Sequence, residues 1–293
     1  MNLVVGATGL LGGSIVNKLM ARGKPVRAMV RQSSVSLGTE SVVGDLKDPE
    51  SLERACRGVT TVVTTANSAQ RGGADNITSV DLEGNRALIG AARNAGVRHF
   101  VFVSAAFVDP NSANPLFAAK ARTEEYLRAS DLTWTIIAPH AFLDVWFTLL
   151  VGSALAAGAP VSLVNGGHKR HSLIAVDDVA AFTAAVVDAP EASGRRLLLG
   201  GPEALSFSDV VAIAARILGA SLPVKNIEPG RPIPNLPPPL DQIVGSLAAG
   251  LEQQDVVIDA TEVANVFGIA LTPAEAVLRK ALASRLPKPE GTR

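Results

Sequence analysis

The chain has 293 residues, 47% hydrophobic and 18% charged, so it can bury a large core and is not expected to be disordered. Its 27 Lys and Arg residues balance 27 Asp and Glu residues, which argues against a protein that binds nucleic acid through the phosphate backbone. Cys56 is the single cysteine, so no intramolecular disulfide can form. No basic segment precedes the first apolar run, as a signal peptide would require, and we expect a cytoplasmic protein.

Strand and helix patterns alternate along the first half of the chain. Short apolar runs are typical of buried strands, and the longer amphipathic runs between them are typical of helices. The strand-like runs are NLVV, PVRAMV, VTTVVTTA, RHFVFVSA and LTWTIIAP, and the helix-like runs are LLGGSIVNKLMARG, SLERACRG, VDLEGNRALIGAARNAG and KARTEEYLRAS. This alternation predicts an α/β fold with a doubly wound parallel sheet, a Rossmann fold, over residues 1–139. Such sheets bind ligands beyond the carboxyl ends of their strands.

The first strand-to-helix turn, GATGLLG, predicts a phosphate-binding loop. Gly6, Gly9 and Gly12 let the backbone turn tightly and approach a diphosphate, which then lies at the helix N-terminus. The other residues of this turn expected to contact the cofactor are Thr8, Leu10 and Leu11.

The residues after the second apolar strand favour NADP(H) over NAD(H). An NAD-binding chain often has Asp or Glu there, to bond the ribose 2′-hydroxyl, whereas this chain has Arg31 followed by Ser33 and Ser34. A guanidinium and hydroxyl groups are suited to a 2′-phosphate. The alternative is that Arg31 is only a solvated residue at a strand end.

Two later strand ends are expected to line the same site. In VVGDLKD, Asp45 is placed to bond the adenine amino group with Leu46 beside it, although Asp45 could equally cap the following helix. Thr65, Ala66 and Asn67 end the next apolar strand and should also contact the cofactor.

Several motifs together resemble those of one family. These are GATGLLG, the VR after the second strand, GDL, FVSA, a lone lysine at position 120, WTIIAPHAFLD, IAVDDVAAF and LLLGGPEALSFSDV. Over residues 1–220 the chain is similar to the NmrA-like, atypical branch of the short-chain dehydrogenase/reductase superfamily. That branch contains reductases of quinones, phenylpropanoids and other carbonyl or unsaturated compounds, and also redox-sensing regulators that bind the dinucleotide without catalysis.

The resemblance implies roles for four residues around the nicotinamide. Ser104 ends a strand where the superfamily keeps an active-site hydroxyl, and Lys120 corresponds to the lysine that holds the nicotinamide ribose. Pro139 and Phe142 fall in the segment that closes over the nicotinamide. The branch usually has Arg-Pro where this chain has Ala138 and Pro139, so a charge that often anchors this segment is absent.

The sequence lacks an obvious proton donor. In the wider superfamily a tyrosine four residues before the lysine donates the proton, but Leu116 stands there. Tyr126 is the single tyrosine and follows Lys120 by six positions, about 240° around a helix, so it should face elsewhere. Lys120, Ser104 and His140 remain as catalytic candidates. The alternatives are that Lys120 only binds the cofactor and that His140 is a packed or solvent-facing loop residue.

The pattern changes after residue 139. We predict that residues 140–293 form a smaller, mostly helical C-terminal substrate domain. Strands are expected around 172–176 and 195–200, and whether they return to the main sheet is left open. The residues expected to contact the substrate are Phe107, His140 and Trp146.

Two features of this second half argue against other classes of protein. The uncharged run 145–164 is interrupted by two glycines and a proline, which predicts a helix, a turn and the strand VSLV and not a membrane span. His168 and His171 are three residues apart, but no cysteine or acidic ligand accompanies them, so no metal is expected.

These observations predict an NADP(H)-dependent oxidoreductase that reduces a small, mostly apolar carbonyl, quinone or unsaturated compound. The alternative is a non-catalytic NAD(P)-sensing regulatory protein of the NmrA-like type, and the missing tyrosine motivates it. An epimerase, dehydratase or isomerase on the same fold would need an acid–base pair, and the missing tyrosine argues against these classes. The expected partner is a small-molecule substrate, with no nucleic acid and no membrane, and homodimerisation is left open.

Overall fold

The structure is a computed structural model that describes residues 1–33, 35, 37–68 and 73–283. Within these residues a seven-stranded parallel sheet has the strand order β3-β2-β1-β4-β5-β6-β8, and β7 and β9 form a separate parallel pair. The strands are β1 Asn2–Val5, β2 Val26–Val30, β3 Glu40–Val43, β4 Thr61–Thr64, β5 His99–Val103, β6 Thr133–Pro139, β7 Val161–Val164, β8 Arg195–Leu199 and β9 Val224–Ile227.

Eleven α-helices connect and flank these strands in the described part of the chain. They are α1 Leu10–Ala21, α2 Pro49–Cys56, α3 Glu83–Asn94, α4 Pro115–Arg128, α5 Leu143–Phe147, α6 Ser153–Ala157, α7 Val176–Val186, α8 Phe207–Leu218, α9 Leu240–Leu251, α10 Thr261–Phe267 and α11 Ala274–Leu282. A π-helical turn, Ile77–Leu82, leads into α3, and a second one, Thr148–Gly152, separates α5 from α6. Among the described residues no helix has the length and apolarity to cross a bilayer.

The predicted doubly wound parallel sheet is confirmed. Its inner strands are rich in apolar residues, and every residue of β1 and β4 is buried, as expected for a parallel sheet covered on both faces. The core on one face is formed by strand residues such as Leu3, Val62 and Phe100 with the apolar faces of the neighbouring helices. Each of β1 to β5 therefore points its carboxyl end to one edge of the sheet, where the connecting loops carry the predicted cofactor residues.

The chain divides into two compact units, and the first is not simply residues 1–139. It also contains Val176–Leu199 and Val263–Ile269. In this unit β8 pairs with β6 in parallel, and Asp177 at the start of α7 accepts a hydrogen bond from Ser14 Oγ of α1 at 2.6 Å. From the sequence, residues 140–293 are assigned to the substrate part, with only the strands around 172–176 and 195–200 left open as members of the main sheet.

One of the two strands left open by the sequence is present. Residues 195–199 form β8 in the main sheet, but the prediction of a strand at 172–176 is wrong. Ile174 makes only an isolated bridge to Phe142, because α7 already begins at Val176 and ends the extended segment.

The second unit is mostly helical. It comprises 140–175, 200–262 and 270–293, of which residues 284–293 lie outside the described part. Its core is formed by apolar residues of α5, α8, α9 and α11 around the strand pair β7 and β9.

Candidate cofactor and active site

The turn between β1 and α1 is built from glycines that other residues could not replace. Gly6 has a φ of +85°, a left-handed conformation that favours glycine, and its carbonyl accepts a hydrogen bond from the Gly9 N–H at 3.0 Å. A Cβ at Gly12 would lie 2.0 Å from the Gly6 carbonyl oxygen. Gly9 has no side chain to cap α1, so the first N–H groups of the helix remain accessible to an anion.

A pocket lies beside this turn, at the carboxyl ends of β1 to β4. The residues that line it are Val5, Gly6, Thr8, Met29, Arg31, Gly44, Asp45, Leu46 and Ala66. Six of the predicted cofactor residues therefore come together there. Thr65 and Asn67 adjoin Ala66, and Asn67 Nδ2 donates to the Thr65 carbonyl at 3.4 Å. Leu10 and Leu11 form the first turn of α1, and Ser34 lies outside the described residues.

Asp45 is fixed in the wall of this pocket and does not cap the following helix. Its Oδ1 accepts a hydrogen bond from the Lys47 N–H at 2.8 Å, and its carbonyl accepts one from Ser51 Oγ at 3.1 Å. The cap of α2 is Asp48, whose carboxylate accepts hydrogen bonds from the N–H groups of Glu50 and Ser51. The sequence left Asp45 open as an adenine contact or as a helix cap, and the structure excludes the helix cap.

Arg31 is part of an ion cluster that the sequence did not reveal. Its Nη1 lies 3.1 Å from Asp75 Oδ2, and the other carboxylate oxygen of Asp75 is bonded to Lys47 Nζ. Lys47 and Asp75 are 28 positions apart, so only the fold brings them together.

Ser104 and Lys120 meet at the carboxyl end of β5. The Ser104 side chain is 4% exposed, and its Oγ has no hydrogen-bond partner among the described residues. Lys120 is half-buried, donates from Nζ to the Val103 carbonyl at 3.1 Å and lies 5.3 Å above the Phe102 ring. Burial lowers the pKa of Lys120, and the negative charges of Asp81 and Glu124 oppose that effect.

Asp81 is a second acidic residue that the sequence analysis missed. It is 1% exposed, and its Oδ2 accepts hydrogen bonds from Ser68 N at 3.0 Å and Ser68 Oγ at 2.6 Å. Its Oδ1 is buried and has no hydrogen-bond partner within the described part of the chain. The signal in the sequence was an aspartate within the apolar helical pattern VDLEG. A charged residue is rarely buried without a partner, so its position there indicates a specific role.

Glu124, one helical turn after Lys120, anchors the segment that follows Ser104. Its side chain is 3% exposed and is paired with Arg128 at 2.7 Å and Arg196 at 3.0 Å. Arg196 also donates from Nη2 to the Ala105 carbonyl at 2.7 Å. This network therefore ties α4 and β8 to the residue beside Ser104.

The two aromatic residues of this unit that the sequence analysis considered are both exposed. Tyr126 is 41% exposed and lies under the guanidinium of Arg86, 5.4 Å from its ring centre. Phe107, a predicted substrate contact, is 56% exposed with a φ of +55°, a rare conformation for an aromatic residue. Pro139 ends β6 and accepts a hydrogen bond from the Ala106 N–H at 2.8 Å.

In the second unit, Phe142 and Trp146 have structural environments. Phe142 is the N-cap residue of α5 and bridges Ile174. Trp146, a predicted substrate contact, is 8% exposed and packs on Phe207 with ring centres 5.1 Å apart. In this structure Trp146 is therefore a core residue.

His140 belongs to a hydrogen-bonded histidine pair in the second unit. His171 is fully buried, and its Nε2 donates to the Leu251 carbonyl at 2.9 Å. The neutral ring of His171 can then only accept at Nδ1, where His140 Nε2 lies at 3.2 Å and must donate. Burial, with a smaller contribution from His171, lowers the pKa of His140 to about 4. His140 is therefore uncharged in neutral solution.

This histidine pair should make the protein sensitive to acid. Because the pKa of His140 is about 4 in the folded chain and 6.5 ordinarily, the unfolded chain binds more protons between these values, and stability falls as pH falls through this window. We expect wild type to lose about 2 kcal/mol more between pH 6.5 and 4.5 than His140→Gln, whose amide can still donate to His171. Urea titrations at both pH values measure this difference, and equal losses in the two proteins would contradict the assignment.

Comparisons with known proteins support the binding of a nicotinamide dinucleotide. An NAD(P)H-binding family model matches residues 6–190. The chain is 30% identical to the photosystem II assembly factor Ycf39 of Trieres chinensis over 230 residues, which cover 77% of this chain and 71% of that protein. It is also 30% identical to the ceramide reductase of Caulobacter vibrioides over 223 residues, which cover 74% of this chain and 70% of that protein.

A solved structure shares the fold over nearly the whole length. It is an NADPH-dependent quinone oxidoreductase from Escherichia coli in complex with NADPH, with a TM-score of 0.79 and 20% sequence identity, covering 96% of this chain and 100% of that chain. At this identity the likeness concerns the fold alone.

Proposed function

Because the chain belongs to the NAD(P)H-binding family, in the NmrA-like branch of the short-chain dehydrogenase/reductase superfamily, we propose that it is an NADP(H)-dependent reductase. Its proposed substrate is a small, mostly apolar carbonyl, quinone or unsaturated compound. The observation that carries the proposal is the pair of Ser104 and Lys120, two groups able to hold or move a proton at the carboxyl edge of a dinucleotide-binding sheet.

The described residues fit a bound NADP(H). The close approach of Gly12 to Gly6 leaves no room for a side chain, as a backbone cradle for a diphosphate requires. Arg31 and Lys47 supply two cations at neighbouring strand ends for a 2′-phosphate. The buried Oγ of Ser104 lacks a partner among the described residues, which is expected of a group that acquires one from a ligand.

In this proposal the reduced cofactor, when bound, supplies the hydride. The residues of the chain orient the reactants and donate or relay the proton. Lys120 donates the proton directly or through water, and Ser104 polarises the acceptor oxygen or relays the proton. Burial lowers the pKa of Lys120, and the negative charges of Asp81 and Glu124 favour its charged form. Leu116 and Phe117 are half-buried one turn before Lys120 and offer an apolar surface for an apolar substrate.

Turnover assays test the proposal. Purified protein should oxidise NADPH in the presence of at least one member of a panel of quinones, enones and ketones. A protein that binds NADPH but turns over no member of the panel would overturn it.

A second candidate is a dinucleotide-sensing protein without turnover. The presence of Leu116 where a tyrosine would precede Lys120 favours it, and so does the similarity to a protein named as an assembly factor. It predicts a protein complex whose yield in a pull-down changes with the redox state of the cofactor, together with no oxidation of NADPH by any acceptor.

Arg31→Gln is expected to weaken NADPH binding by about tenfold to a hundredfold, because it removes a charge-assisted hydrogen bond to the 2′-phosphate. NADH lacks that phosphate and loses no such hydrogen bond, so its affinity should change by less than about twofold. Isothermal titration calorimetry with NADPH and with NADH measures the change in each Kd. Arg54→Gln is a matched control, since Arg54 lies on α2 and pairs only loosely with Asp48 and Glu50 at 3.9 and 4.0 Å.

A further inference from the structure

The ion cluster of Arg31, Asp75 and Lys47 joins three successive connections of the sheet. Arg31 follows β2, Lys47 follows β3, and Asp75 comes from the connection after β4. The Asp75 side chain is 11% exposed, whereas Arg31 is 55% and Lys47 is 36% exposed. The carboxylate is thus the inner member, with both cations closing over it.

Two converging cations at strand ends form an anion site, and here an acidic side chain of the chain itself fills that site. Asp75 uses both carboxylate oxygens, one on each cation. Among the described residues, Asp45 adds further negative charge near Lys47. In this group of four described side chains, two carboxylates therefore face two cations before any ligand arrives.

This balance affects the two cofactors in opposite ways. A 2′-phosphate carries close to two negative charges near neutral pH, and the Asp75 carboxylate already occupies one donor group of Arg31 and the ammonium of Lys47. A ribose 2′-hydroxyl carries no charge and can itself donate a hydrogen bond to a carboxylate. The same side chain therefore opposes NADP(H) and tolerates NAD(H).

We propose that Asp75 is a specificity-determining residue, an internal counter-ion that competes with the cofactor 2′-phosphate for Arg31 and Lys47. The inference rests on the proposed binding of a dinucleotide at this pocket. It adds Lys47 as a second phosphate ligand and assigns to Asp75 the role of limiting the preference for NADP(H).

Asp75→Asn tests the competition, since the amide keeps the shape and removes the charge. We expect the Kd for NADPH to fall about tenfold and the Kd for NADH to rise or stay within about twofold, as loss of one charge-assisted contact implies. Adenosine 2′,5′-bisphosphate and adenosine 5′-monophosphate should show the same contrast in calorimetry, independently of any turnover. A variant that folds but binds NADPH no more tightly than wild type does would overturn the inference.

Glu40→Gln is the matched control. Glu40 is likewise a carboxylate paired with an arginine, Arg27 of β2, at 2.5 Å, but it is exposed and both residues lie near the amino ends of their strands. Its removal should leave the ratio of the two Kd values unchanged. If Glu40→Gln shifts the ratio as strongly as Asp75→Asn does, a general change of surface charge explains both and the inference fails.

A double mutant separates competition from a nonspecific charge effect. In wild type Asp75 holds Lys47, so Lys47→Met should cost less NADPH affinity there than it costs in the Asp75→Asn background. Equal costs in the two backgrounds would contradict competition for Lys47. Wild type that binds neither cofactor would refute the proposed function itself, whereas binding without this coupling would refute only the role of Asp75.

Discussion

Replacing Lys120 with methionine is expected to lower NADPH-dependent turnover by about 10²- to 10⁴-fold, the range of a lost general acid. Methionine keeps the length and apolar stem of lysine, so the packing against Phe102 should survive. The affinity for NADPH should fall by about tenfold or less, since only one hydrogen bond to the cofactor is removed. Steady-state kinetics and calorimetry on the same preparation measure the two effects separately.

The structure gives Lys120 the properties that this result requires. Its Nζ is held at the strand end by the Val103 carbonyl, beside the buried hydroxyl of Ser104. Burial lowers its pKa, which makes the ammonium a better proton donor, and the charges of Asp81 and Glu124 oppose this shift.

Lys24→Met is the control for Lys120→Met. Lys24 is a half-buried lysine of the same unit, paired with Asp188 at 2.8 Å, and its loss should leave both turnover and NADPH affinity unchanged. Lost cofactor binding in Lys120→Met with kcat preserved at saturating NADPH would make Lys120 a clamp and return the proton donor to Ser104 or His140. His140 would then have to act from a neutral ring, because its pKa is about 4.

The sequence predicts the site best where a strand end and a motif coincide. Gly6 and Arg31 each directly follow an apolar run, and Asp45 and Ala66 lie two residues beyond the ends of β3 and β4. Parallel strands bring such positions to one edge of the sheet, so no side-chain geometry is needed to group them. The apolar run RHFVFVSA also places Ser104 directly after β5, whereas its expected role at the nicotinamide came from the family resemblance. Local pattern and fold rule together were sufficient for these residues.

The contacts between distant loops could not be predicted in this way. Asp75 meets Lys47 across 28 positions and Arg196 meets Glu124 across 72, and neither pair has a periodic signal in the sequence. The strand β9, VKNI, was also hidden, because it is largely exposed and polar and lies in a proline-rich segment. Such features depend on tertiary pairing, which overrides local preference.

Neighbouring glycines at the start of α1 should respond in opposite ways to a single methyl group. Gly12→Ala is expected to weaken NADPH binding at least about tenfold, through loss of charge-assisted contacts to the diphosphate. It should also destabilise the fold by about 1–3 kcal/mol, the usual cost of overpacking. The reason is that its Cβ would lie 2.0 Å from the Gly6 carbonyl oxygen and 3.1 Å from the Ala7 Cα, which are backbone atoms that cannot rotate away.

Gly13→Ala carries the same chemical change one position later and serves as the control. Its Cβ would meet nothing closer than the Ala7 carbonyl oxygen at 3.5 Å, an ordinary contact. Since alanine is favoured over glycine inside a helix by about 0.5–1 kcal/mol, this variant should be slightly more stable than wild type and bind NADPH equally well. Urea unfolding and calorimetry on both variants decide the matter. Equal losses of affinity in the two would mean that α1 tolerates no added volume anywhere, and the close approach of Gly12 to Gly6 would then have no special part in holding the cofactor.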